Sequence, residues 1–255
     1  MSEAIEAEVS PRGIATILLN RPERANALNQ QMLGKLADEL GARAADDNTR
    51  VVVLRGSGKH FCAGADLVAR GREQGASPAA QVSLVDVLAA LDLLPKPTIA
   101  VVQGAAVGGG AAMVACCDIV LAADGAFFSI PEVRVGMAPL GVAPFMIRAM
   151  GLRSFRRYGL SGERIAAAEA LRIGLAHELV SADKLDDRLG EIADALLHGA
   201  PGAIRKLKAE VESYGTPHIA AVLARRASHD PSQSAEAREG IASFKEKRKP
   251  SWYPQ

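Results

Sequence analysis

Two patterns of apolar residues alternate along the first ~150 positions. Unbroken runs of four to five apolar residues read as buried strands, and apolar residues recurring every three or four positions read as helices. Ala4 to Val9 and Ile14 to Leu19 predict two strands around the turn Ser10-Pro11-Arg12-Gly13. Asn29 is placed to cap a helix with apolar positions Met32, Leu36 and Leu40, ending near Gly41. Val51 to Arg55 and Thr98 to Val102 are the clearest strands. Between them, Ala79 to Leu94 carries Val82, Val85, Leu88 and Leu91 at helical spacing, and Pro95-Lys96-Pro97 stops it. Asp118 to Ala123 and Ala126 to Ile130 predict short strands parted by Asp124-Gly125.

Beyond Gly141 the pattern becomes helical. Ala143 to Met150, Ser154 to Tyr158 and Ala166 to Ile173 read as helices, the last closed by Gly174. Leu185, Leu189, Ile192 and Leu196 define another; Pro201 and Pro217 suit the first turns of two more; Ala235 to Lys247 forms the last. Strand–helix alternation followed by helices predicts an α/β core, a sheet covered by helices, with a helical C-terminal region. Gly71 to Ser77, polar and glycine-bearing, reads as a mobile loop able to lie over a pocket.

Composition narrows the function classes. The 255 residues are 49% hydrophobic and 23% charged, with a formal net charge of +1. A near-neutral chain with 4% aromatics lacks the basic surface and stacking platforms of a nucleic-acid binder. No apolar run approaches the ~18–20 residues of a membrane span, and Met1 to Glu8 lacks the basic start and apolar core of a signal peptide. Cys62, Cys116 and Cys117 fit neither a disulfide framework nor a metal-ligand spacing, and suit a reducing, cytoplasmic setting.

Two glycine-bearing segments carry the chemistry. Gly104 to Asp118 (GAAVGGGAAMVACCD) follows the strand Thr98 to Val102 and enters an Ala-rich helix. Three glycines at such a passage let other atoms approach the backbone and leave N–H groups unpaired where the helix dipole favours negative charge. Phe61 to Leu67 (FCAGADL) follows Val51 to Arg55 through Gly56-Ser57-Gly58, with Asp66 as a cap for a short helix starting near Leu67. Either segment alone reads equally as a tight packing turn. Together they suggest one site lined by two backbone donors.

These paired segments resemble those of the crotonase superfamily, the enoyl-CoA hydratase/isomerase family. The likeness extends to Leu19-Asn20-Arg21-Pro22 with Asn26-Ala27-Leu28-Asn29, to Pro131-Glu132-Val133-Arg134-Val135-Gly136, to Ala168 through Ala176, and to Phe244 through Lys249. It implies a spiral of ββα units over residues 1–195 and a helical region over 196–255 for trimerisation and CoA cover. It implies backbone donors at Ala65 and Gly109 for an oxyanion, and an acyl-CoA thioester as substrate, without metal, redox cofactor, membrane or nucleic acid. It places the CoA adenine near Ala63 to Leu67, including Asp66, with Ala25 among the CoA-binding residues and Arg24 facing the CoA phosphates. Phe244 would lie near adenine or pantetheine, and Lys245, Lys247, Arg248 and Lys249 near the phosphates; a solvated basic face explains the last group equally well. The family's homo-oligomers are trimers or dimers of trimers.

Hydratases of the family usually carry two glutamates. The position three beyond the second glycine is Ala112 here, while the second motif supplies Glu132. A single carboxylate suffices for an isomerase, which takes a proton from one carbon and returns it at another. The stretch Glu132 to Gly151 resembles the bacterial methylglutaconyl-CoA hydratase-like branch, where a small residue also replaces the first glutamate. Hydration is the preferred expectation, isomerisation the second, and a non-catalytic acyl-CoA or RNA binder the third. The acyl chain and pathway stay open. His60 reads as a surface residue, Cys116 and Cys117 as inert core thiols, and His177 as packing at the turn after Leu175.

Overall fold

The computed structural model describes residues 4–70, 81–214, 235–248 and 250–251. The expected loop Gly71 to Ser77 and the helix expected at Pro217 lie outside these residues.

Six strands form the larger sheet, in the order β1 (Ile5–Val9), β2 (Ile14–Leu19), β3 (Val51–Gly56), β4 (Thr98–Val102), β6 (Ile119–Ala123) and β9 (Glu178–Val180). Only β1 runs antiparallel to its neighbour. Every residue of β4 and all but one of β3 are buried, as expected of parallel strands covered on both faces. Helices α1 (Gln30–Ala45) and α3 (Leu84–Asp92) pack together beside this sheet. Asn29 caps α1 as expected, its side chain accepting from Met32 N–H at 2.9 Å. The helix does not stop at Gly41 but runs to Ala45: Gly41 has open space around it, so nothing forces a break. Similarly, α3 begins at Leu84, because Ser83 and Asp86 form a reciprocal capping box.

A second, narrower set of rungs runs alongside. Leu28 bridges Ala65, Cys62 bridges Ala106, β5 (Ala105–Val107) pairs with β7 (Phe127–Ser129), and β7 pairs with β8 (Ile165–Ala166). Successive passes of the chain therefore place one strand in the large sheet and one short rung in the small one, winding as a spiral. The site loops are these rungs. Helices α2 (Leu67–Arg70) and α4 (Gly109–Ala115) follow two of them.

The helical part comprises α5 (Ala143–Ser161), α6 (Ala167–Arg172), α7 (Leu185–His198), α8 (Pro201–Tyr214) and α9 (Ala235–Lys245). The first two helices expected after Gly141 are the two halves of α5, broken at Gly151 by φ 76° and ψ 151°. Among the described residues, no helix is long and apolar enough to cross a membrane.

Candidate active site at the junction of two loops and a half-buried glutamate

The first loop is fastened by main-chain bonds on both edges. Leu28 N–H donates to Gly64 O at 2.7 Å and Asp66 N–H to Leu28 O at 2.8 Å. In this parallel pattern the intervening Ala65 turns its N–H away from Leu28, toward the side where the next rung lies. On that side Cys62 N–H donates to Ala105 O, and Val107 N–H to Cys62 O, at 3.0 and 2.9 Å. Gly64 has φ +86°, and a Cβ there would stand 2.8 Å from Val107 O. Only glycine allows both that backbone conformation and that approach. The two glycine loops thus touch.

A residue that sequence reasoning passed over holds this junction. Asn26 is fully buried, with φ 57°. Its side chain accepts from Arg21 N–H and donates to Ser57 O and His60 O, all within 2.9 Å. Arg21 in turn donates to Asp66 at 3.1 Å and to Ala27 O at 2.6 Å. His60 is half-buried rather than a plain surface residue, because its Nδ1 accepts from Ala105 N–H at 3.2 Å and joins one loop to the other. The signal for Asn26 was its place in an Asn-rich turn, where asparagine tolerates positive φ.

The second loop ends at Gly108, with φ +52° and its N–H donated to Ser129 O at 2.8 Å. Helix α4 starts at Gly109. A Cβ on Gly110 would stand 2.6 Å from the backbone Cys62 O, so that glycine is required by packing; one on Gly109 would stand 2.8 Å from the end of the Leu84 side chain, which can move aside. Cys62 sits between the loops, its thiol pushed up to about 12 by burial, and is therefore inert. Cys116 and Cys117 are buried, as expected of core thiols, and the Cys117 thiol is likewise pushed to about 12.

Glu132 opens a 3₁₀ turn, Glu132–Val135, directly after β7 and Pro131. Its Oε1 lies 2.8 Å from where a Cβ on Gly108 would be, so the carboxyl reaches the seam between the loops. Its Oε2 is buried and has no hydrogen-bond partner among the described residues. Burial raises its pKa above the ordinary carboxylate value, opposed only by a local backbone hydrogen bond. Ala112 is fully buried in α4.

The remaining expected site residues are dispersed. Ala25, with φ 49°, accepts the Ala63 N–H at 2.9 Å, and Leu67 begins α2. Arg24 is exposed on the turn Pro22–Arg24. Phe244, 59% exposed, and Lys247 lie at the end of α9, the helix packed on the Glu132 turn. Arg248 is engaged with Glu239 and Glu246, which favours the solvated-face explanation for that charge. Lys249 lies outside the described residues. Two open depressions among the described residues, of about 230 and 260 Å3, are elsewhere: one is lined by Cys117, Asp118 and His177, the other by Arg50, Lys96 and Arg205.

Comparison with known proteins agrees with this architecture. The model of the enoyl-CoA hydratase/isomerase family matches residues 10–255. A Bacillus subtilis protein provisionally named enoyl-CoA hydratase/isomerase YngF is 34% identical over 254 residues, covering 98% of each chain. An enoyl-CoA hydratase from Mycobacterium avium subsp. paratuberculosis superposes with a TM-score of 0.86 at 28% identity, over 98% of this chain and 99% of that one. An enoyl-CoA hydratase/isomerase from Pseudoalteromonas atlantica does so with 0.87 at 29%, over 98% and 100%. The chain belongs to the enoyl-CoA hydratase/isomerase family and has the crotonase fold.

Proposed function

We propose that this family member adds water across the 2,3 double bond of an enoyl-CoA thioester, with Glu132 as the proton-transfer residue. The observation that carries this reading is the buried, unpartnered Glu132 Oε2 beside Gly108. A stranded carboxylate oxygen costs stability, and substrate chemistry is what repays that cost. The raised pKa brings it nearer the operating pH, where a group serves well as both base and acid.

In the proposed cycle, the Glu132 carboxylate accepts a proton from water as the water oxygen bonds to C3. The π electrons move through C2 onto the thioester oxygen, giving an enolate. The Ala65 and Gly109 N–H groups stabilise that oxygen, and removing one such donor typically costs about 3–4 kcal/mol. Protonated Glu132 then returns the proton at C2, and the carboxylate is regenerated. Ala63 to Leu67, with Arg24, Ala25, Phe244 and Lys247, would seat the CoA portion. A methylglutaconyl-like or branched acyl chain fits the sequence resemblance, and a substrate carboxylate there would help hold the water.

Ala112 supports the second reading, a double-bond isomerase, since one carboxylate is enough to move a proton between two carbons. Loss of the enoyl-CoA absorbance with formation of a 3-hydroxyacyl-CoA supports hydration. Conversion of a 3-enoyl-CoA to the 2-enoyl isomer without water uptake would instead establish the isomerase. Binding with neither product would leave a non-catalytic acyl-CoA relative. Assembly as a trimer or dimer of trimers is part of the proposal. Leu152, Leu160, Leu207 and Val211, each more than half exposed, supply apolar surface for it. Light scattering that finds a stable monomer at micromolar concentration overturns that part.

A further inference from the structure

The Glu132 turn has few ties of its own. Its main-chain bonds are short-range: Arg134 N–H to Pro131 O, Gly136 N–H to Val133 O, and Met137 N–H to Glu132 O. Among the described residues, one side-chain bond, from Arg134 Nε to Ser161 O at 3.2 Å, ties it to α5. Its other support is α9. This helix carries Gly240 against Val135, the last residue of the turn. A Cβ on Gly240 would stand 2.3 Å from Val135 C, 2.4 Å from its O and 2.7 Å from its Cα. All three are backbone atoms, so no rotamer change relieves the clash, and helix or turn must move. The helix buries its residues around this point and bonds within itself there. Ala237 is fully buried, and Ser243, 3% exposed, donates its hydroxyl to Gly240 O at 2.9 Å.

A glycine inside a helix is less favourable than an alanine, so its presence there calls for a reason. Gly190 and Gly202 sit in open surroundings, whereas Gly240 is filled to backbone contact. We infer that Gly240 is a positioning residue: it lets the C-terminal helix α9 dock backbone-to-backbone on the Glu132 turn and so sets the placement and dryness of the Glu132 carboxyl. The inference rests on the role proposed above for Glu132. It makes the C-terminal helix a wall of the proton-transfer site of its own chain, in addition to any part it has in CoA cover or assembly.

The sign follows from the burial that raises the Glu132 pKa. If α9 is pushed off, water reaches the carboxyl and its pKa falls back toward the ordinary value. The acid limb of the kcat–pH profile, which reports ionisation of the base, then moves to lower pH. The experiment measures that profile, KM for the turned-over enoyl-CoA and folding by circular dichroism, in the full chain. Its variants are Gly240→Ala, Ser243→Ala, Gly190→Ala and Glu132→Gln. Gly240→Ala should lower kcat at neutral pH by roughly tenfold or more, change KM less than about threefold, and move the acid limb down by about half a pH unit or more. Ser243→Ala adds no atom and removes only the bond to Gly240 O. It should move the limb the same way by less, and decides the matter if Gly240→Ala does not fold. Gly190→Ala should change neither.

An acid limb that stays in place in a folded Gly240→Ala overturns the inference, as does one that stays in place in Ser243→Ala when Gly240→Ala cannot fold. A fall in kcat with an unmoved limb counts the same way, because general loosening would explain it. Glu132→Gln separates the two levels. If that variant stays active, the role of Glu132 is wrong; if it is inactive while the limb is unmoved, only the role of Gly240 is wrong.

Discussion

The loop that carries Ala65 and the turn that carries Glu132 both lie against Gly108, yet they are held by different forces. The loop is laced by main-chain hydrogen bonds to the rungs on either side, and Asn26, Arg21 and His60 add side-chain bonds. The turn is closed mainly by bonds within itself and by α9, and Oε2 of Glu132 has no hydrogen-bond partner among the described residues. Backbone donors are cheap to preorganise, because the ladder that forms the fold also aims them. An acid or base must keep free capacity, so it is placed by packing and left unsatisfied, at a cost in stability. One region should therefore fail by losing its geometry, and the other by losing its chemistry while gaining stability.

The largest expected effect tests that second half. Glu132→Gln should reduce turnover by about 10²–10⁴-fold, the range a positioned acid or base supplies, while acyl-CoA binding persists. The same change should stabilise the fold near neutral pH. The native pKa of Glu132 is raised above its unfolded value, so the native state binds more protons between the two values. Stability is then lost as pH rises through that window and is not regained above it. Glutamine avoids the loss. Thermal scans at acidic and neutral pH should show a gain in Tm that is larger at neutral pH, about 2–4 °C for each kcal/mol recovered. A Tm that falls at neutral pH would break the contrast between the regions.

Gly109→Pro addresses the other half and should cost about 10²–10³ in kcat by removing one donor. Circular dichroism has to show a folded chain for this reading to stand, and near-normal turnover would exclude Gly109 N–H as a donor. Asn26→Ala should destabilise by about 1–3 kcal/mol, since it strands a buried N–H and two carbonyls. Urea unfolding measures it, and a change below ~0.5 kcal/mol would show that the loops hold without this joint. The smallest and most discriminating change is Ala112→Glu. The position is fully buried, so the variant should lose stability. A gain in crotonyl-CoA hydration despite that loss would identify water activation as the missing function; no gain favours the isomerase.

Much of this was legible from local pattern. The Val51 run and the Thr98 run are β3 and β4, since two-sided burial writes itself as unbroken apolar sequence. The Asn29 cap, the break near Gly151 and the helix after the three glycines were read from propensity and turn chemistry, which are properties of neighbours in the chain. The same rules erred where a glycine had two meanings. Gly41 is an ordinary exposed-helix glycine and not a stop, because stopping depends on the backbone conformation it adopts. Tertiary structure alone decided that His60 joins two loops, that Asn26 is buried beneath them, and that Oε2 of Glu132 is buried with no hydrogen-bond partner among the described residues. It also brought Gly240 onto Val135, about a hundred residues earlier in the chain. Each of these is a meeting of segments distant in sequence, and burial, desolvation and close backbone approach exist only once such segments have met.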